Sequence, residues 1–124
     1  MKYTTLTNTN IKVSKICLGT MTFGRQNTED QAHQQMTYAL DKGVNFFDTA
    51  EMYAVPYTPK TQGLTEQYIG NWFAKNKNRD KVVLASKITG GGRGIFNSMR
   101  ENLDFSKASL DDALDKTLAR LQTD

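Results

Sequence analysis

The sequence predicts an α/β fold in which strands and helices alternate and the strands run parallel, and three observations carry that expectation. Short apolar runs of strand length recur at Ile16 to Gly19, Val44 to Phe47 and Val82 to Ala85. Each is followed by a loop and then by a segment whose apolar residues return at helical spacing, an alternation that implies right-handed crossovers between parallel strands. Two of the runs lead into a charged residue, Asp48 and Lys87. A charge at the end of an apolar strand is how a parallel α/β barrel presents reactive groups at its C-terminal face.

Taken in order, Tyr3 to Leu6 and Ile11 to Val13 are β-prone and flank the polar cluster Thr7, Asn8, Thr9 and Asn10. The chain therefore opens with a small hairpin that plugs or flanks the main fold. Ile16 to Gly19 is read as a first buried strand, and Thr20, Met21, Thr22, Phe23 and Gly24 form the loop that leaves it. Thr28 with Gln31 is a capping-box pattern, and Ala32, Met36, Ala39 and Leu40 recur at helical spacing, which predicts a first helix over 29–42. Gly43 supplies the residue most tolerant of a left-handed helix end, and the second strand follows directly. Pro56 and Pro59 keep the next loop irregular. A second helix carries Leu64, Tyr68, Ile69, Trp72 and Phe73 as an apolar stripe, with Glu66 in its first turn where a carboxylate favours the helix dipole. After the polar exit from Lys75 to Asp80 comes the strand that leads to Lys87. Beyond a long loop, Ser109 with Asp112 is expected to cap a last helix bearing Leu110, Ala113, Leu114, Leu118 and Leu121 on one face.

With 124 residues the chain has the length of one domain, and no linker or repeat divides it. The 16 basic and 13 acidic residues leave an excess of +3, dispersed in short pieces such as Lys75, Lys77, Arg79 and Lys81. That is a solvated surface and not a nucleic-acid stripe. Cys17 is the only cysteine, so a disulfide framework is excluded, which suits a reducing compartment. The N-terminus lacks the apolar core of a signal peptide, and no segment reaches the roughly 20 apolar residues of a membrane span. A soluble cytoplasmic protein without membrane or nucleic-acid partners is the expectation; nothing in the residues specifies an oligomeric state.

Among the motifs, the run Gly90, Gly91, Gly92, Arg93, Gly94 lacks both the ending of a phosphate loop and the spacing of a dinucleotide fingerprint, so it reads as a flexible loop. His33, among Gln31, Gln34 and Gln35, reads as part of a solvated helix face, and one His with one Cys assembles no metal set. Trp72 reads as core. Asp48 and Lys87, by contrast, end neighbouring strands and could face each other at one barrel mouth, with Tyr53 five residues beyond Asp48. A phenol is a poor proton donor or acceptor at neutral pH unless a cation favours its phenolate, and a lysine held by a carboxylate is such a cation. Asp48, Lys87 and Tyr53 are thus either a relay for general acid chemistry or a structural ion pair beside an unrelated tyrosine.

The stretches ICLGTMTFG, GVNFFDTAEMY, GLTEQYIGNWF and VVLASK, in that order, resemble the N-terminal part of aldo-keto reductases, in particular the Tas-like branch related to potassium-channel β subunits. The resemblance covers essentially the whole chain. It implies a (β/α)8 TIM barrel that binds NADPH and reduces small-molecule aldehydes and ketones, with Tyr53 as general acid, Lys87 as its pKa-lowering partner and Asp48 as the carboxylate that pairs with the lysine. It also implies that Gly19, Thr20 and Met21 border the nicotinamide and that Asp48 lies near its ribose. The segments from Pro56 to Gly63 and from Gly90 to Ser106 would form two walls of the substrate pocket, where Tyr57, Arg93 and Phe96 suit aromatic or anionic groups. An alternative role is a non-catalytic cofactor-binding module of the channel-subunit kind.

Family members carry a further catalytic histidine at the end of a fourth strand, and the chain stops before any such strand. It is accordingly expected to form a single incomplete barrel domain over residues 1–124: a hairpin and about three βα units, the front part of a longer enzyme and inactive by itself.

Overall fold

In the computed structural model, residues 1–91, 99–100 and 103–124 are described. The elements are β1 (Tyr3–Thr5), β2 (Lys12–Ser14), β3 (Cys17–Gly19), α1 (Glu29–Asp41), β4 (Phe46–Asp48), α2 (Leu64–Asn76), a 3-10 turn (Arg79–Lys81), β5 (Val83–Ala85) and α3 (Lys107–Leu121). β1 and β2 form the expected antiparallel hairpin. The other three strands make a parallel sheet in the order β3-β4-β5, with Gly19 opposite Asp48 and Asp48 opposite Ala85.

The hairpin flanks the sheet where β4 begins. Asn45 fixes it there: its Oδ1 accepts from Ser14 N at 2.7 Å and its Nδ2 donates to the Lys12 carbonyl at 3.1 Å, while Tyr3 Oη donates to the Gly43 carbonyl at 2.9 Å. This is the end of the strand opposite Asp48. It also explains why β4 starts at Phe46 and not at Val44. Asn45 serves the hairpin with its side chain, and Val44 N returns to the Ala39 carbonyl at 2.9 Å to finish the turn out of α1.

α1 forms as its capping box requires: Thr28 Oγ1 accepts from Gln31 N, and Gln31 Oε1 accepts from Thr28 N. It ends at Asp41, and Gly43 takes φ +83°, the left-handed conformation its lack of a Cβ permits. Ala32, Met36 and Ala39 face Ile69, Trp72 and Phe73 of α2 and Phe47 of β4 in one core. Trp72 satisfies its single polar atom by donating to Thr37 Oγ1 at 3.0 Å.

Successive strand residues point to opposite faces of the sheet. Leu18, Phe47 and Leu84 pack on the helical side; Cys17, Gly19, Phe46, Asp48, Val83 and Ala85 look the other way and are half-buried or exposed. In residues 1–124 taken alone Ile16, Cys17 and Gly19 are exposed: among the described residues β3 is a sheet edge, and two of its three residues face away from the helices.

α3 also departs from expectation at its start. Its N-cap is Ser106, whose Oγ accepts from Ser109 N at 3.3 Å, so Ser109 lies inside the first turn. Its buried stripe is Ser109, Ala113, Thr117 and Leu121, whereas Leu110 and Leu114 are exposed. The small polar residues face inward because charged partners wait for them there: Thr117 Oγ1 donates to Glu66 Oε2 at 3.3 Å, and Ser109 Oγ accepts from Arg100 at 2.6 Å. α3 crosses α2 at Gly70, where a Cβ would lie 2.2 Å from the Arg120 carbonyl oxygen. No helix among the described residues is long and apolar enough to cross a membrane.

Candidate active site

The parallel register brings the ends of β4 and β5 together, and with them Asp48 and Lys87. Lys87 Nζ donates to Asp48 Oδ1 at 2.7 Å and to the Thr49 carbonyl at 2.6 Å. It stands 5.1 Å from the ring centroid of Tyr53. The tyrosine reaches this position because the loop after β4 turns back on itself: Tyr53 N donates to the Ala50 carbonyl at 3.1 Å, and Thr65 N, in the first turn of α2, donates to the Tyr53 carbonyl at 3.4 Å. The three residues singled out from sequence therefore converge on one ammonium group.

Burial works to lower the Lys87 pKa, but it is outweighed by the hydrogen bond to Asp48, the charge of a Tyr53 phenolate, the charge of Asp48 and a hydrogen bond with Tyr53. The lysine ends above its ordinary value. The pair remains accessible, with 47 % of the Lys87 side chain and 41 % of the Asp48 side chain exposed.

Gly19 and Met21 lie at the same end of the sheet, and Thr20 locks them to it. Thr20 is fully buried, and both its backbone N, at 3.1 Å, and its hydroxyl, at 2.8 Å, donate to the Asp48 carbonyl. Its side chain is thereby committed to bracing Asp48. A Cβ placed on Gly19 would meet nothing within 4 Å, so the space above that strand end is open. Met21 is exposed, and its carbonyl accepts from Val55 N at 2.8 Å, tying the first loop to the Tyr53 loop.

Tyr57 donates to Gln62 Oε1 at 2.8 Å within its own loop, and Arg93 and Phe96 lie outside the described residues. His33 is not on a solvated face: it lies in the seam between α1 and α2, its Nε2 2.9 Å from the Tyr68 carbonyl, because the helices cross where its side chain projects. A groove of about 470 Å³ beside it, lined by Asp30, His33, Thr37 and Trp72 among others, does not include Asp48, Tyr53 or Lys87.

Sequence reasoning missed the carboxylates behind the site. Glu51 pairs with Arg100 at 2.9 Å, and Glu66 pairs with Arg120 at 2.8 Å while accepting from Ser86 Oγ at 2.7 Å. Glu51 stands inside the DTAEMY stretch, which was its only signal; Arg100 follows no periodic pattern and gave none.

A family model described as the Aldo/keto reductase family matches residues 15–124. The chain belongs to the aldo/keto reductase family. It is 46% identical over 124 residues to Protein tas of Escherichia coli, covering 100% of this chain and 36% of that protein. It is 42% identical over 125 residues to the uncharacterized oxidoreductase YrpG of Bacillus subtilis, covering 100% of this chain and 37% of that protein. Among solved structures, aldo-keto reductase AKR11C1 from Bacillus halodurans, in its holo form, superposes with a TM-score of 0.76 at 32% identity, covering 100% of this chain and 37% of that one. The hairpin and three βα units are thus the N-terminal part of a (β/α)8 barrel, and the chain spans a little over a third of the length of these relatives.

Proposed function

We propose that the intact protein is an NADPH-dependent oxidoreductase of the cytoplasm that reduces aldehydes and ketones to alcohols, with Tyr53 as general acid. The observation that carries this reading is the convergence of Asp48 and Tyr53 on the Lys87 ammonium, at 2.7 Å and 5.1 Å respectively. In the reaction the Tyr53 hydroxyl gives its proton to the carbonyl oxygen as that oxygen gains charge. The phenolate left behind lies beside the ammonium, which favours it, and Asp48 holds the ammonium in place. Because the Lys87 pKa is raised, the cation persists throughout the neutral range.

The residues at the strand ends suit a nicotinamide. Gly19 brings no side chain to the strand end, and Asp48 beside it in the sheet register keeps Oδ2 as a further acceptor able to take a ribose hydroxyl. A reduced nicotinamide bordered by Gly19, Thr20 and Met21, with Asp48 near its ribose, would supply the hydride. The holo form of the Bacillus halodurans relative supports a bound cofactor in this fold.

Steady NADPH consumption by the intact enzyme with a panel of aldehydes is the first expected result. Tyr53→Phe should then lower kcat by about 10²- to 10⁴-fold, the range for a lost general acid, with the cofactor Kd nearly unchanged. Unaltered turnover would refute the acid role.

A further inference from the structure

We infer that Glu51 is a positioning residue for Lys87, acting with Arg100 as a buried clamp that joins the Tyr53 loop to the segment carrying the lysine. This rests on the reading of Asp48, Tyr53 and Lys87 given above. Lys87 lies two residues beyond β5, where the ladder narrows to backbone bonds from the loop after β4, Thr49 N to the Ala85 carbonyl at 2.9 Å and Glu51 N to the Lys87 carbonyl at 3.0 Å. Past Lys87 the side chains of Glu51 and Arg100 take over.

Glu51 and Arg100 form an ion pair with 2 % and 1 % of their side chains exposed. The backbone N of Glu51 donates to the Lys87 carbonyl at 3.0 Å, and its Oε1 accepts from Thr89 N. Arg100 donates to the Thr89 carbonyl at 2.7 Å and to Ser109 Oγ at 2.6 Å. Residue 89 is therefore gripped at both its amide and its carbonyl by the two members of one pair, and the anchor of that pair is the first turn of α3. On the other side of the lysine, Ser86 Oγ donates to the fully buried Glu66 at 2.7 Å.

A buried ion pair contributes little net stability against apolar residues of similar volume, so stability alone is a weak reason for one here. Its bonds do something an apolar pair could not. They hold the backbone on which Lys87 is carried against the loop that carries Tyr53, and a displacement of about 1 Å at such a group slows chemistry by roughly 10²-fold. Among the described residues, the Glu51 side chain bonds to Thr89 N and Arg100, and Arg100 to Glu51, Thr89 and Ser109; they act through the Lys87 backbone.

The test uses the intact enzyme, with NADPH and an aldehyde it reduces. Lys87→Met is measured first, and full activity of that variant would overturn the reading of the site and the inference with it. In a Lys87-dependent enzyme, Glu51→Gln should lower kcat about tenfold with the KM for NADPH within twofold of the parent, and the kinetic isotope effect from cofactor deuterated at the transferred position should rise as the chemical step becomes limiting. Glu51→Asp, which keeps the charge, should recover part of kcat. A merely structural role would lower kcat in proportion to the folded fraction and leave the isotope effect unchanged, and either that result or unchanged kcat in folded Glu51→Gln would overturn the inference. Should Glu51→Gln fail to fold, the double variant Glu51→Met/Arg100→Met, which leaves no uncompensated buried charge, is read by the same isotope effect with the same two outcomes.

Discussion

Lys87 Nζ donates to Asp48 Oδ1 at 2.7 Å across the ends of two parallel strands, although 39 residues separate the pair in sequence. Within residues 1–124 both side chains are more than two-fifths exposed, and ion pairs so exposed contribute about 0–1 kcal/mol. On that footing the contact is a poor stabiliser, and what it does is fix the position of the ammonium. Asp48→Asn in the intact enzyme should shift Tm by no more than a few degrees while lowering kcat at least tenfold. A large loss of stability with unchanged kcat would assign the pair to the fold and not to the chemistry.

The same contact has a pH signature. The folded Lys87 pKa is raised: burial would lower it, but the hydrogen bond to Asp48 and the neighbouring negative charges prevail. The native state thus binds this proton more tightly than the unfolded chain does. Its contribution is present in full below the ordinary lysine value of about 10.4 and is lost as pH rises through the higher folded value. Urea midpoints measured from pH 9 to above pH 11 should fall more steeply for the parent than for Asp48→Asn, by less than about 1 kcal/mol in all given the exposure of the pair. Lys107, raised through its hydrogen bond to Asp111, and Tyr68, raised by burial and Glu29, are common to both proteins and cancel, whereas Cys17, raised by burial and by the charge of Asp48, adds to the difference in the same direction. Parallel curves would mean that the ion pair does not persist in solution.

Gly70→Ala sets two effects against each other. Alanine is the better helix former by about 1 kcal/mol, and Gly70 is in the interior of α2. Its Cβ, however, would lie 2.2 Å from the Arg120 carbonyl oxygen and 2.8 Å from the Leu121 carbonyl carbon, backbone atoms that can yield only by moving α3. Overpacking of that kind costs about 1–3 kcal/mol or more, so the variant should lose stability in a urea or thermal melt of the intact enzyme. A rise in Tm would show that α3 shifts away freely.

How much of this was legible follows from the range over which each interaction acts. The capping box at Thr28 and Gln31, the glycine at 43 and the apolar stripe of α2 are local patterns, and the structure keeps them within a residue or two. The proximity of Asp48, Lys87 and Tyr53 was legible because strand ends are marked in sequence and parallel strands bring those ends together. Glu51, Arg100 and Glu66 were not, because a buried charge is recognised only by its partner, and those partners lie 49 and 54 residues away. The start of α3 was misplaced for a related reason. Ser109 with Asp112 has the capping pattern, but in the fold Ser109 is claimed by Arg100, and Ser106, three residues earlier, is the cap.

The final expectation concerns a polypeptide of residues 1–124 by itself. Among the described residues β3 and β5 are each paired on one side only, and Cys17 and Gly19 face away from the helical layer. Apolar surface is open as well: Ile16 is 59% exposed, Phe105 68% and Leu114 53%. Unpaired strand edges beside exposed apolar side chains are templates for association, which closed barrels avoid by pairing the first strand with the last. Such a barrel takes about 250 residues. The polypeptide should therefore form oligomers, aggregates or a loosely packed monomer, without NADPH-dependent carbonyl reduction, since an unclosed sheet does not fix a nicotinamide beside Tyr53. Light scattering gives its size, and fluorescence of Trp72, which is only 1% exposed in the core, reports both packing and titration with NADPH. A compact monomer with saturable micromolar binding and turnover would show instead that three βα units suffice for the site.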